Sequence, residues 1–171
     1  DFISLYDSYE KILFIGDSRT VGLSNVVKDS SINIEFICEV GKGLNWIKEQ
    51  NIEEKIKDKN TLVFVNLGIN DLHNLNEYIN YFSNLNINNN IYYISILPVD
   101  EIKESKNGYS ITNIQIEKFN SKIKESFKYI DLYSYMINHQ FDTSDGIHFT
   151  NDTYEDIYKY IKNYIRNTKF N

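Results

Sequence analysis

The chain has 171 residues, enough for one domain whose core buries roughly two thirds of the unfolded surface, with no need of a second core. Its 18 basic and 24 acidic residues leave a formal charge of −6 and no basic stripe, which argues against a phosphate-backbone partner such as nucleic acid. The single cysteine, Cys38, excludes an intrachain disulfide and a multi-cysteine metal site, and no apolar run approaches the roughly 18 residues that span a bilayer.

The first ten residues show no clear period and are expected to lie along an edge of the domain; Asp1-Phe2-Ile3-Ser4 does not read as a signal peptide. Ile12-Leu13-Phe14-Ile15 is a continuous apolar run suited to a strand buried on both faces. A helix is expected over 20–28, with Ser18 or Thr20 as its cap. A second strand over 34–40 ends at Gly41-Lys42-Gly43 and carries Cys38 as a buried structural thiol. Leu44, Ile47, Ile52 and Ile56 suggest one helix over 44–57. The third strand, 61–67, is apolar until its end, and a helix over 74–87 follows, closed by a surface turn in the asparagine run 86–90. A fourth strand over 91–97 stops at Pro98, and 99–109 reads as a loop shaping access to the sheet edge. Thr112-x-x-Gln115 is a capping box ahead of Ile116, Phe119, Ile123 and Phe127, which share one helical face. A short strand over 129–132, an irregular stretch over 133–149, and an amphipathic helix through Tyr154, Ile157, Tyr158, Ile161 and Ile165 complete the chain.

This alternation predicts an α/β fold: a five-stranded parallel sheet with helices on both faces, a three-layer α/β/α sandwich formed by residues 1–171 as one domain. Such sheets place their sites beyond the carboxyl ends of the strands. Four blocks adjoin those predicted ends or loops: Gly16-Asp17-Ser18, Val40-Gly41-Lys42-Gly43, Gly68-Ile69-Asn70-Asp71 and Asp145-Gly146-Ile147-His148. Each has an ordinary explanation taken singly. Gly-Asp-Ser is common turn and cap chemistry, Asn70-Asp71 suits a turn, and His148 directly precedes a helix start.

Acyl transfer needs a nucleophile, a base, a group that orients the base, and donors for the oxyanion. Ser18, His148 and Asp145 supply the first three, while Asp142, six residues from His148, is a second carboxylate. The spacing of His139, Asp142, Asp145 and His148 at intervals of three also invites a metal-site reading, but the intervening glycine and the lack of an apolar face argue against one helix presenting them. His73 and His139 are expected to be solvated or structural, and Asp17 and Asp71 to organise their turns.

In this order, the four blocks resemble those of the SGNH hydrolases, also called the GDSL esterase family, over nearly the whole chain. The resemblance implies the flavodoxin-like strand order 2-1-3-4-5 and an oxyanion hole built from the backbone N–H of Ser18, the N–H of the second-block glycine and the side chain of Asn70. Val40-Gly41-Lys42 is similar to the Val-Gly-basic pattern of cell-wall O-acetyl transferases and esterases, which favours Gly41, with Gly43 as the alternative. Asp145 fits the family spacing better than Asp142. The activity implied is a serine esterase that removes short acyl groups, acetyl foremost, from a carbohydrate or cell-wall glycan through an acyl-enzyme on Ser18. No cofactor or metal is called for.

The same residues would serve an acetyltransferase or a lipid or lysophospholipid esterase. A non-catalytic glycan- or protein-binding module is the rival of another class. A nucleotide-binding flavodoxin-like domain shares the sheet but lacks a Gly-rich phosphate loop here. A small-molecule or glycan ester as partner, a monomer without membrane insertion, and an extracellular or cell-surface setting as a processed or excised bacterial domain complete the expectations, with a cytoplasmic setting left open.

Overall fold

The computed structural model describes residues 1–57, 60–85 and 91–171. Five parallel strands form one sheet in the order β2-β1-β3-β4-β5: β1 (Lys11–Gly16), β2 (Asn33–Cys38), β3 (Thr61–Asn66), β4 (Ile91–Ile94) and β5 (Tyr129–Ile130). The helices are α1 (Leu5–Ser8), α2 (Ser18–Val26), α3 (Leu44–Lys48), α4 (Ile52–Lys55), α5 (Leu75–Ser83), α6 (Glu101–Lys106), α7 (Asn113–Ser126), α8 (Leu132–Asn138) and α9 (Asn151–Asn167).

The pleat of the central strands explains the layers. Leu13, Ile15, Val63 and Val65 point to one face, where they meet Leu44, Ile47, Ile52, Tyr78, Phe82, Ile116, Phe119 and Ile123 of α3, α4, α5 and α7. Ile12, Phe14, Leu62 and Phe64 point to the other, against Leu23, Leu132, Met136, Ile157, Ile161 and Ile165 of α2, α8 and α9. Burial on both faces is why β1 and β3 are apolar runs and not alternating ones. The expected three-layer sandwich and its strand order are both present.

Several local expectations need correction. The helix expected over 44–57 is two short ones, because Ile47 and Ile52 lie five residues apart, more than one turn. A left-handed Asn51, φ 52°, redirects the chain so that both are fully buried. The expected loop 99–109 contains α6, and the irregular stretch 133–149 contains α8. Both are capped by aspartates, Asp100 and Asp131, whose side chains accept from Lys103 and Ser134 N–H. The inward residue of α6 is Glu104, with Ile102 outside, so no apolar period announces this helix. Residues 5–8 form α1, whose Leu5 packs in the same core as Ile157, Ile161 and Ile165 of α9. Strand β2 ends at Cys38, before the expected limit, and the Cys38 thiol is partly exposed because it ends an edge strand. The capping box at Thr112 and Gln115 is formed as expected, whereas the turn expected at 86–90 lies outside the described residues.

Candidate active site

Strand β1 delivers Ser18. The apolar run stops at Gly16, buried Asp17 becomes the cap of α2 by accepting from Arg19 N–H at 3.0 Å, and Ser18 opens the helix. The expected cap was Ser18 or Thr20; that work falls to Asp17, which leaves the Ser18 hydroxyl uncommitted to its own helix. Ser18 Oγ lies 3.0 Å from His148 Nε2. On the far side of the ring, Nδ1 lies 2.6 Å from Asp145 Oδ2. A carboxylate accepts only, so Nδ1 carries the proton, and Nε2 is left to accept from the Ser18 hydroxyl.

Asp145 is itself fastened. Its Oδ1 accepts from the backbone N–H of Ile147 at 2.9 Å and of His148 at 2.8 Å, a turn that sets the imidazole beside its own partner. Burial pushes this carboxyl up, but the hydrogen bonds from His148 and Ile147 outweigh it and hold the group below the ordinary aspartate range. Asp142 makes no such contact; its N–H donates to Thr153 Oγ1 and its carbonyl accepts from Thr150 N–H. His139 lies against Tyr135, with Nδ1 at 2.7 Å from the Tyr135 carbonyl, and His73 is exposed. Among the described residues, no group of three or more His, Cys, Asp or Glu side chains is placed to hold a metal ion.

The second and third blocks are joined to each other. Asn70 Nδ2 donates to the Lys42 carbonyl at 2.9 Å, which leaves its second amide hydrogen uncommitted by that bond. Asp71 accepts from Leu44 N–H at 2.9 Å, from Asn74 Nδ2 at 3.1 Å and from Tyr78 Oη at 2.6 Å, tying the loop after β3 to the start of α3. Gly43 must be glycine there, since a Cβ would stand 2.5 Å from the Asp71 carboxylate. Gly41, at φ 75°, faces open space. Beside these residues runs a groove of about 450 Å³ lined by Gly41, Asn45, Trp46, Asn70, His73 and Asn74, among others.

Two residues of this region escaped sequence reasoning. Arg19, 2 % exposed, turns inward to bond the carbonyls of Ile147, Leu97 and Pro98. Glu104 of α6 is equally buried, and α6 braces the loop bearing Asp145: Asp100 N–H donates to the Gly146 carbonyl and Lys103 Nζ to the Thr143 carbonyl, both at 2.9 Å. The one signal for Arg19 was its place, an arginine inside a buried strand-to-helix turn.

No protein-family profile matches the chain, and no curated protein matches it. Solved structures do. A Streptococcus pneumoniae protein provisionally assigned as a platelet activating factor aligns over 92 % of this chain and 84 % of its own, with TM-score 0.73 and 22 % identity. An Enterococcus faecalis lipase/acylhydrolase aligns over 92 % and 95 %, with TM-score 0.69 and 18 % identity. The C-terminal catalytic domain of Streptococcus pneumoniae peptidoglycan O-acetyltransferase A aligns over 91 % and 94 %, with TM-score 0.67 and 16 % identity. The chain has the SGNH, or GDSL acylhydrolase, fold. In that fold Ser18, Gly41, Asn70 and Asp145 with His148 all follow the carboxyl ends of the strands or lie in the loop before α9, the edge where open α/β sheets hold their ligands.

Proposed function

We propose that this chain is a serine ester hydrolase that removes short acyl groups, acetyl foremost, from a carbohydrate or cell-wall glycan. One observation carries the reading: an unbroken hydrogen-bonded line from Asp145 through His148 to Ser18. In the reaction, Ser18 Oγ attacks the ester carbonyl as His148 Nε2 takes its proton, and Asp145 holds the resulting imidazolium. The oxyanion is met by the N–H groups of Ser18 and Gly41, with Gly43 as the alternative, and by the free amide hydrogen of Asn70, which the Lys42 carbonyl has already oriented. Collapse expels the alcohol, which leaves with the proton from His148. Water, deprotonated by the same imidazole, then hydrolyses the acyl-enzyme, and Ser18 is regenerated.

The groove beside Asn70 and Gly41 supports a sugar as the alcohol. It offers the Trp46 ring with the polar side chains of Asn45, His73 and Asn74 and the charged Lys42, Glu49 and Asp71, a mixture suited to a polyol. The likeness to the peptidoglycan O-acetyltransferase domain supports a second reading in which a sugar hydroxyl replaces water as acceptor, making the chain an acetyltransferase with the same residues. Hydrolysis of chromogenic acetyl, butyryl and octanoyl esters, compared with Ser18→Ala, and mass spectrometry after a serine-directed phosphonate test the proposal. Preferential acetyl cleavage, a label on Ser18 and an inert variant are expected. A folded chain that neither cleaves an ester nor takes the label would leave a binding module as the function.

A further inference from the structure

We infer that Arg19 is a positioning residue that sets the distance between the nucleophile and its base. This rests on the reading of Ser18 and His148 just given. Arg19 directly follows Ser18, and its guanidinium grips the chain on both sides of His148: Nε donates to the Ile147 carbonyl at 2.9 Å, and the guanidinium carbon sits 4.8 Å from the centre of the Phe149 ring. One rigid, planar side chain thus links the residue beside the nucleophile to the two residues flanking the base, which are 128 and 130 positions away in sequence.

The same guanidinium fixes the third wall. Nη1 and Nη2 donate to the carbonyls of Leu97 and Pro98, in the extended segment after β4. That segment has its backbone satisfied largely by side chains: Asn66 Nδ2 donates to Ile94 and Ser95 carbonyls, Asn120 bonds both N–H and carbonyl of Ile96, and Asn113 does the same for Val99. Asp100 N–H then returns to the Gly146 carbonyl, so the strap is tied to the base-bearing loop. The two asparagines of α7 have no contact of this kind with the base loop; Arg19 holds both. The buried cation is balanced by Asp17 and Glu104, with Asp145 and Tyr154 also in its field; burial lowers Arg19 to about 10, so it stays charged at neutral pH.

The test uses Arg19→Lys and Arg19→Gln in the whole chain, with thermal unfolding, kcat and KM for an acetyl ester, the rate of phosphonate labelling of Ser18, and the downfield proton resonance of the His148 Nδ1–H bonded to Asp145. In folded Arg19→Gln, kcat and the labelling rate should fall together by about a hundredfold, the size of effect that a misplacement near 1 Å produces, with KM nearly unchanged. The His148 resonance should broaden or vanish. Arg19→Lys, which keeps the charge but places its donors on a single nitrogen, should recover part of each, and it carries the test if Arg19→Gln does not fold. Wild-type kcat and an unaltered His148 resonance in either folded variant would overturn the proposal, even if melting were lowered. A wild-type chain inert to both ester and phosphonate, whose His148 resonance is nonetheless lost in the variants, would sink the esterase reading and leave the positioning role standing.

Discussion

His148 Nε2 stands 3.0 Å from Ser18 Oγ although 130 residues separate them, and the contact exists only because the loop before α9 folds back over the end of β1. If the proposed reaction holds, Ser18→Ala and His148→Ala should each lower kcat by about ten-thousandfold or more on an acetyl ester, since the first removes the proposed nucleophile and the second the proposed base that takes its proton. The double variant should be no slower than the worse single one. Because both side chains are partly exposed, melting temperatures should change little; steady-state kinetics beside thermal unfolding check both statements.

Asn70 should act on the transition state. With one amide hydrogen held by Lys42, the other is aimed in advance, so Asn70→Ala should lower kcat by roughly a hundred- to a thousandfold while KM stays within a few-fold. The same loss in kcat/KM, measured across acetyl and butyryl esters, should be independent of the acyl chain. A change confined to KM would instead assign Asn70 to ground-state binding.

Asp17 makes stability depend on pH. Burial raises its carboxyl to about 6, despite the Arg19 N–H and the Arg19 charge, which pull it down; Asp71 raises it further and His148 lowers it. Among the described residues its Oδ2 has no hydrogen-bond partner. A raised acid binds its proton more tightly in the fold than in the unfolded chain, so stability is greatest below pH 4 for this group and falls as pH rises from about 4 to about 6. A shift of this size corresponds to roughly 3 kcal/mol. Asparagine caps helices as well as aspartate does. Urea unfolding of Asp17→Asn should therefore show a flatter pH profile than the wild type across that window.

Gly146 and Gly41 both have positive φ, 97° and 75°, but different surroundings. A Cβ on Gly146 would lie 2.2 Å from the backbone nitrogen of Glu104, so Gly146→Ala must push α6 away from the base loop in addition to straining the backbone. A Cβ on Gly41 would meet nothing within 4 Å. Denaturant titration should give a loss of about 1–2 kcal/mol for Gly41→Ala and a larger one, about 2–4 kcal/mol, for Gly146→Ala.

Where burial on both faces of a strand or one stripe of a helix sets the residue pattern, the sequence determined the outcome: the apolar runs of β1 and β3, the capping box of α7, the stripe of α9 and the alternation that makes a parallel sheet were all legible. The four candidate blocks stood out for a related reason, since glycine and short polar residues cluster where strands end and the chain turns. What the tertiary structure decided is what depends on contacts distant in sequence. Helix α6 turns Glu104 inward beside the charge of Arg19, so it has no apolar face to read. Helices α3 and α4 are parted at Asn51 because Ile47 and Ile52 must reach one core. Sequence reasoning assigned Arg19 no role, yet its guanidinium is buried. The carbonyls of Leu97, Pro98 and Ile147 that would otherwise lack donors converge there from two other parts of the chain, and no local pattern encodes that convergence.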